Sequence, residues 1–217
     1  MSLTKLFTSA VLEFKALKCQ YAVGGGFAAD LYRNQVRGTG DIDFLFFAGG
    51  LEREKGKALL KRLNLEGKET TLFDLKRIPG MNKKSAAVYV IVGRRGKDKE
   101  GVDLLLPPFS WFPKAIERAQ SNLFDFGHGI GPVPTLTAED VILAKLDAGR
   151  LKDKDDINSI FESHADKDSE VTLDLNYLLR EMRELKLSLP EECLQDAPTA
   201  LRMLAKKKRR RSKKSFP

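Results

Sequence analysis

The chain has 217 residues, 42% of them hydrophobic, and a formal charge of +8, which suits one sizeable domain or two smaller ones that share a core. No apolar run reaches the roughly 20 residues that cross a bilayer, and the chain opens with no secretory signal pattern. Two isolated cysteines and two histidines indicate neither a disulfide framework nor a zinc site, so we expect a soluble cytoplasmic protein with no membrane partner.

The first part of the chain mixes helix-like and strand-like patterns. Apolar residues at three- and four-residue spacing predict helices, and short apolar runs bounded by turn residues predict strands. The predicted helices cover 4–18, 27–34, 51–64 and 111–120. The predicted strands cover 20–24, 41–47, 70–78, 86–92 and 101–106. The last two strands form a hairpin around the polar turn 93–100.

A glycine- and proline-rich connection, 127–134, is the predicted domain boundary. Beyond it the pattern is helical, with helices predicted over 138–147, 153–162 and 174–186. The predicted fold class is therefore α+β, a mixed β-sheet flanked by helices with a C-terminal helical subdomain. The predicted divisions are a core over 1–134, a helical subdomain over 135–205 that completes the site, and a tail over 206–217.

Three glycines, Gly24, Gly25 and Gly26, lie between the first predicted strand and a helix. Because glycines lack a side chain, a phosphate group can approach their backbone closely. The N-terminus of the helix that follows offers unpaired N–H groups and a partial positive charge. The segment therefore suits the triphosphate of a nucleotide, and the alternative is a tight strand-to-helix turn.

Two carboxylates, Asp41 and Asp43, open the strand 41–47, which is otherwise strongly apolar. Residues i and i+2 of a strand project to the same face, so both carboxylates point one way. Two neighbouring anions on a buried strand repel one another unless a cation lies between them. Because oxygen ligands favour Mg²⁺ or Mn²⁺, we predict a metal site here. The alternative is a solvated edge of the sheet.

A third carboxylate, Asp103, stands near the start of the apolar run 101–106. If that strand neighbours the strand 41–47, Asp103 joins the other two carboxylates and the trio holds two metal ions ~3.5–4 Å apart. Asp103 could also act as a general base. The rival candidates are Asp74, in a weaker strand, and Asp98, in a charged turn.

This order of glycines and acidic strand resembles the polymerase-beta-like nucleotidyltransferase superfamily. Residues 135–157, TLTAEDVILAKLDAGRLKDKDDI, further resemble the AbiEii-type abortive-infection toxins and their minimal relatives. The first family motif, R-x-T-x-D-I-D, is matched by Arg37, Thr39, Asp41, Ile42 and Asp43. The second, E-D-h-h-x-x-K followed by R-x-K-D-x-x-D, is matched by Glu139, Asp140, Lys145, Arg150, Lys152, Asp153 and Asp156.

The resemblance implies an enzyme that moves a nucleoside monophosphate from an NTP to a hydroxyl of RNA, such as tRNA, or of a protein. It also implies that Arg37, Thr39 and Lys145 contact the nucleotide and that Asp153 and Asp156 support the site. On one continuous helix, positions 145, 149, 152 and 156 would share a face, which gives Lys145 and Asp156 modest independent support; the alternative is an exposed helix of mixed charge. A toxin of this type would have an antitoxin protein as partner. The alternative functions are a non-catalytic nucleotide- or RNA-binding module and an aminoglycoside-type transferase.

The excess positive charge lies in the tail. Residues 206–214 contain eight basic residues and no acid, and the remaining 30 Lys and Arg equal the 30 Asp and Glu. Such a run repels itself and buries no apolar surface, so we predict that it is disordered. It could bind RNA phosphates without sequence preference, which would favour an RNA acceptor. The alternative is a tail that only improves solubility.

Overall fold

A five-stranded mixed sheet organises the computed structural model, which describes residues 2–71, 88–96 and 100–204. The strands are β1 (Gln20–Val23), β2 (Asp41–Phe47), β3 (Glu66–Thr71), β4 (Val88–Arg94) and β5 (Gly101–Leu105). Their order in the sheet is β1-β2-β5-β4-β3. Strands β2 and β5 are parallel, whereas the other neighbouring pairs are antiparallel. The predicted α+β class with a mixed sheet flanked by helices is confirmed.

The helices are arranged along the chain as follows: α1 (Leu3–Leu17), α2 (Gly25–Asp30), α3 (Glu52–Arg62), α4 (Phe112–Ala119), α5 (Ala138–Ala148), α6 (Leu151–Ala165) and α7 (Leu175–Glu184). A 3₁₀ turn covers Glu191–Cys193, and residues 199–204 are helical. A two-stranded ladder joins β6 (Leu123–Phe124) to β7 (Val133–Pro134), in a region that the sequence indicated only as a connection. Among the described residues, no helix has the length and apolar character that a bilayer span requires.

Residues group into two compact units. One unit contains Met1–Phe27 and Gly38–Thr137, and the other contains Ala28–Arg37 and Ala138–Pro217. The sequence had assigned residues 28–37 to the first domain, whereas their contacts lie with the C-terminal helices. The predicted boundary near 134 and the predicted role of the helical part in completing the site stay predictions.

The core of the first unit lies where α1 packs on β2. Helix α1 begins after Ser2, whose hydroxyl accepts a hydrogen bond from Lys5 N, and its apolar stripe is buried. The even-numbered residues of β2 point toward this helix, and the Phe44 ring contacts Phe7 and Phe14 at centroid distances of 5.9 and 4.9 Å. Because side chains alternate along a strand, Asp41 and Asp43 project to the opposite face.

The second unit contains a helix break that the sequence predicted at Gly149. Its φ of +64° is a conformation that favours glycine, and its N–H donates to Lys145 O at 2.9 Å. Helix α6 then begins at Leu151, two residues earlier than predicted, because Asp153 accepts hydrogen bonds from the backbone and side chain of Arg150. Residues 145 to 156 therefore lie on two helices and not on one continuous helix.

Several predictions fall on residues that the structure does not describe. The weak strand 70–78 lies outside the described residues from 72 onward, as do Asp74, Asp98 and the basic tail 206–217. The strand that the structure does show there, β3, has the polar sequence EGKETT and forms the edge of the sheet. A polar edge strand has no apolar alternation, so the sequence pattern did not indicate it.

Candidate active site

The three predicted carboxylates lie on one face of two neighbouring strands. Strands β2 and β5 run parallel, and their register pairs Asp43 with Asp103 and Asp41 with Gly101. Paired residues and residues two apart along a strand share a face of the sheet. Asp41, Asp43 and Asp103 therefore project to the same side, and the strand adjacency that the two-metal hypothesis required is present.

A guanidinium bridges two of these carboxylates. Arg94, the last residue of β4, places Nη1 2.5 Å from Asp103 Oδ1 and Nη2 3.2 Å from Asp103 Oδ2. The same Nη2 lies 3.4 Å from Asp41 Oδ2. Partial burial by itself would lower the pKa of Arg94. The hydrogen bond to Asp103 and the negative charges of Asp103, Asp41 and Asp43 outweigh it, so the pKa is raised.

Arg94 is a residue of the acidic face that the sequence did not reveal. It falls at the edge of the run GRRGKDKE, which predicts a polar turn and gives no reason to prefer one basic residue. The register of the hairpin supplies the missing information. Strand β4 pairs Arg94 with Gly101 and Val92 with Asp103, so Arg94 lies diagonally beside Asp103 on the acidic face.

The glycines admit side chains close to the backbone. A Cβ built on Gly25, whose φ is +55°, would lie 1.7 Å from Asp43 Oδ2. A Cβ on Gly26 would lie 3.0 Å from Thr39 Cβ, and one on Gly24 would lie 3.1 Å from Leu45 Cδ1. In this arrangement, Asp43 and Thr39 use the space that the missing side chains leave. The predicted contact of these glycines with a nucleotide stays a prediction.

Thr39 orients the first carboxylate. Its hydroxyl lies 2.9 Å from Asp41 Oδ1 and donates a hydrogen bond to it. The same hydroxyl lies 3.1 Å from the carbonyl oxygen of Asp41. A threonine two residues before an aspartate can fix the rotamer of the carboxylate in this way. The structure thus assigns Thr39 a positioning contact, and its predicted contact with the nucleotide stays a prediction.

The donor set fits a divalent cation in its chemistry. Three carboxylates share one face, and a cation already bridges two of them. Carboxylate oxygens are the ligands that Mg²⁺ and Mn²⁺ prefer. In the present arrangement the bridging cation is Arg94, and within the described ranges no group of three or more His, Cys, Asp and Glu side chains is placed to hold a metal ion.

Other predicted residues form an ion cluster within the second unit, in which Lys145, Asp153 and Asp156 are buried and Arg37 is 37% exposed. The Lys145 ammonium donates to the Asp156 carboxylate and lies 3.6 Å from Asp153 Oδ1. Arg33 Nη1 lies 2.9 Å from Asp156 Oδ1, and Arg37 Nη2 lies 3.4 Å from Asp156 Oδ2. Asp156 is thus the common partner of three basic side chains.

This cluster leaves little of Lys145 accessible. Its side chain is 5% exposed and its ammonium is bound by two carboxylates, so its described contacts are with protein groups. The predicted contact of Lys145 with nucleotide phosphates, like the roles predicted for Arg37, Asp153 and Asp156, stays a prediction. The sequence also missed Arg33, although an arginine three residues after Asp30 in the predicted helix 27–34 is an ordinary signal for an ion pair.

A scan against protein-family models and a search of the curated proteins both give no match to this chain. Among solved structures, the chain is similar to the antibiotic-resistance factor ANT(2'')-Ia, with 19% identity over 98% of this chain and 95% of that chain and a TM-score of 0.44. It is also similar to an antigenic nucleotidyltransferase-like protein from Paracoccidioides brasiliensis, with 16% identity over 97% and 90% of the two chains and a TM-score of 0.42. At these identities and TM-scores, the function has to be inferred from the site itself.

Proposed function

We propose that the chain is a metal-dependent nucleotidyltransferase, which moves a nucleoside monophosphate from an NTP to a hydroxyl acceptor and releases pyrophosphate. One observation carries the proposal. Asp41, Asp43 and Asp103 lie on one face of two adjacent parallel strands, and the Asp43 carboxylate packs against Gly25, at the start of α2. Carboxylates grouped in this way repel one another, and a cation-dependent reaction explains why the sequence keeps them together.

The carboxylates of this face, Thr39 and the glycines each have a role in the proposed reaction. Asp41, Asp43 and Asp103 would hold Mg²⁺ or Mn²⁺, which when bound stabilises charge on the transferred phosphoryl group and lowers the pKa of the attacking hydroxyl. Thr39 fixes the carboxylate of Asp41 through its hydroxyl. Asp103 is the candidate to accept the proton of the acceptor hydroxyl. The backbone from Gly24 to Gly26 is the candidate to receive the triphosphate.

The acceptor that we propose is an RNA hydroxyl, and a protein hydroxyl is the alternative. The basic run 206–214 supports RNA because lysine and arginine bind the phosphate backbone irrespective of sequence. The resemblance of residues 135–157 to the AbiEii-type toxins supports a toxin activity that an antitoxin protein would oppose.

Removal of residues 206–217 tests whether the tail binds RNA. It should weaken RNA binding and flatten the dependence of that binding on salt concentration. A truncated chain that binds RNA as well as the full chain would contradict a role for the tail.

The proposal is tested by incubating the full chain with labelled NTPs and Mg²⁺ or Mn²⁺. The acceptor mixtures contain total RNA, soluble protein or an aminoglycoside, so the labelled species identifies the acceptor class. The expected result is label on one class that disappears with Asp41→Asn and with Asp43→Asn. If none of these acceptors is labelled with any NTP and either metal, the transferase proposal is wrong.

A non-catalytic nucleotide-binding module is the second candidate, and one observation favours it. Arg94 binds two of the three carboxylates, so the described arrangement holds no complete metal site. If this candidate is right, calorimetry detects NTP binding, but no pyrophosphate forms when an acceptor is present. Pyrophosphate release in the presence of an acceptor would rule this candidate out.

A further inference from the structure

We propose that Arg94 is a built-in counter-ion that competes with divalent cations for Asp41 and Asp103. The inference rests on the metal site of the proposed function and deepens it. It assigns to a side chain of β4 the control of how tightly the carboxylates on β2 and β5 bind a metal.

The register of three strands places Arg94 on the acidic face. Asp41, Gly101 and Arg94 form one row across β2, β5 and β4, because Gly101 pairs with Asp41 on one side and with Arg94 on the other. The next row contains Asp43, Asp103 and Val92. Arg94 therefore starts two strands away from Asp41, and its side chain spans the width of β5 to reach Asp41.

A glycine in the middle of the first row makes this path available. A Cβ built on Gly101 would lie 2.5 Å from Arg94 Nη1 and 2.7 Å from Arg94 Cδ, which is closer than real side chains approach. The guanidinium thus passes directly over the backbone of β5. The same Cβ would also lie 2.1 Å from the carbonyl oxygen of Gly93, so strand pairing itself also requires glycine at this position.

Arg94 contacts carboxylate oxygens that would otherwise be available to bind a metal ion. Its fork of N–H groups binds both oxygens of Asp103, and Nη2 also lies beside Asp41 Oδ2. Bidentate, charge-assisted hydrogen bonds of this kind are the strongest that proteins form. A divalent ion that binds Asp41 and Asp103 has to displace them, so its measured affinity is lower than that of the carboxylates alone.

Release of the guanidinium is structurally straightforward. The Arg94 side chain is partly exposed, Arg94 is the last residue of its strand, and the next residue, Arg95, is exposed. The side chain can therefore rotate toward solvent without passing through the apolar core. Arg94 is for these reasons an exchangeable partner of the carboxylates and not a permanent part of the core.

The test measures Mn²⁺ binding to the full chain by electron paramagnetic resonance, with neither NTP nor acceptor present. The variant Arg94→Gln should bind Mn²⁺ roughly tenfold or more tightly than the wild type, because the competing hydrogen bonds are gone. Arg94→Lys keeps the charge but loses the fork, so its affinity should lie between the two. Thermal unfolding of each variant checks that it is folded.

Arg95→Gln is the matched control. It removes the same charge one residue further along the chain, from a side chain that is exposed, and it should change Mn²⁺ affinity by about twofold or less, because exposed charges are screened. Equal affinities for Arg94→Gln and Arg95→Gln would overturn the proposal, as would undetectable Mn²⁺ binding in all four proteins. If the protein transfers nucleotides but Arg94→Gln leaves Mn²⁺ affinity unchanged, only the proposed competition is wrong. If Arg94→Gln raises Mn²⁺ affinity but the protein transfers no nucleotide, only the proposed transferase function is wrong.

Discussion

The acidic face of the first unit and the ion cluster of the second unit use the same residue types in different environments. On the acidic face, Asp41 is 33% exposed, Arg94 25% and Asp103 15%. In the cluster, Lys145 is 5% exposed, Asp153 1% and Asp156 0%. Charges that water can reach can exchange their partners at low cost, whereas buried pairs are strongly destabilised when one member is lost. From this contrast we expect chemistry at the first group, as in the proposed function, and cohesion of the helices from the second.

The largest expected effect is on transfer activity when the acidic face is changed. Asp43→Asn should lower the rate of nucleotidyl transfer roughly 1000-fold or more, because a metal ligand is lost. The free energy of unfolding should stay the same or rise, because repulsion among the carboxylates falls. Initial rates with labelled NTP and urea unfolding measure the two quantities. Glu117→Gln, at an exposed acid on α4, is the control and should change neither.

The second prediction concerns the ion cluster, where loss of a carboxylate should lower the free energy of unfolding. Asp156→Asn leaves the Lys145 and Arg33 charges buried without their shared carboxylate, so the free energy of unfolding should fall by about 3 kcal/mol. Asp155→Asn is the control, because the neighbouring Asp155 is exposed on the same helix. Urea unfolding measures the free energy of unfolding of both variants. Equal stability of the two would show that the cluster does not stabilise the fold and would remove the distinction between the two regions.

A third prediction concerns the glycine that supports Asp43. Gly25→Ala places a methyl group 1.7 Å from the position of Asp43 Oδ2 at a backbone φ of +55°, so the free energy of unfolding should fall by about 1–2 kcal/mol. Because the carboxylate must also move, Mn²⁺ affinity should fall with it. Gly40→Ala is the control, since a Cβ there meets nothing within 4 Å. Unchanged Mn²⁺ affinity in Gly25→Ala would mean that Asp43 does not bind the metal from its described position.

The smallest effect is expected at alkaline pH from Cys193, which lies in the second unit. Burial raises the pKa of Cys193 from 9.0 to about 11. Between these values the unfolded chain holds fewer protons than the folded chain, so the free energy of unfolding falls as pH rises from 9 to 11.

Cys193→Ala should reduce this fall. Urea unfolding at pH 8, 9, 10 and 10.5 measures the slope for each protein. Identical slopes for the wild type and Cys193→Ala would show that Cys193 is less protected by the second unit than its burial indicates.

The sequence was most informative where carboxylates interrupt an otherwise apolar strand. In DIDFLFF the two-residue period of a strand places Asp41 and Asp43 together on one face of β2, opposite Ile42, Phe44 and Phe46, which are fully buried. The acidic start of GVDLL then identified Asp103, and the parallel pairing of β2 with β5 brings it beside Asp43. Local periodicity was sufficient here, because the residues that matter interrupt an apolar strand.

The sequence was least informative where long-range register decides a contact. Nothing in GRRGKDKE distinguishes Arg94 from its basic neighbours, because its importance depends on which residue of β5 it faces. Similarly, Lys145 and Asp156 matched a motif, but their burial depends on how two helices pack, and a single sequence contains no direct signal for that packing. The polar edge strand β3 was missed for a simpler reason, since it buries little apolar surface.

Because the second unit takes one of its segments from the N-terminal part of the chain, the protein cannot be divided into its two units by a single cut. Residues 28–37 belong with the C-terminal helices, yet they lie in sequence between Gly25 and the acidic strand. They carry Ala28 and Ala29, which are fully buried, and Arg33, which is bound to Asp156. A fragment that ends at residue 137 would leave Arg33 without that partner. No single cleavage point therefore yields two intact halves, and a split version of the protein would need breaks on both sides of residues 28–37.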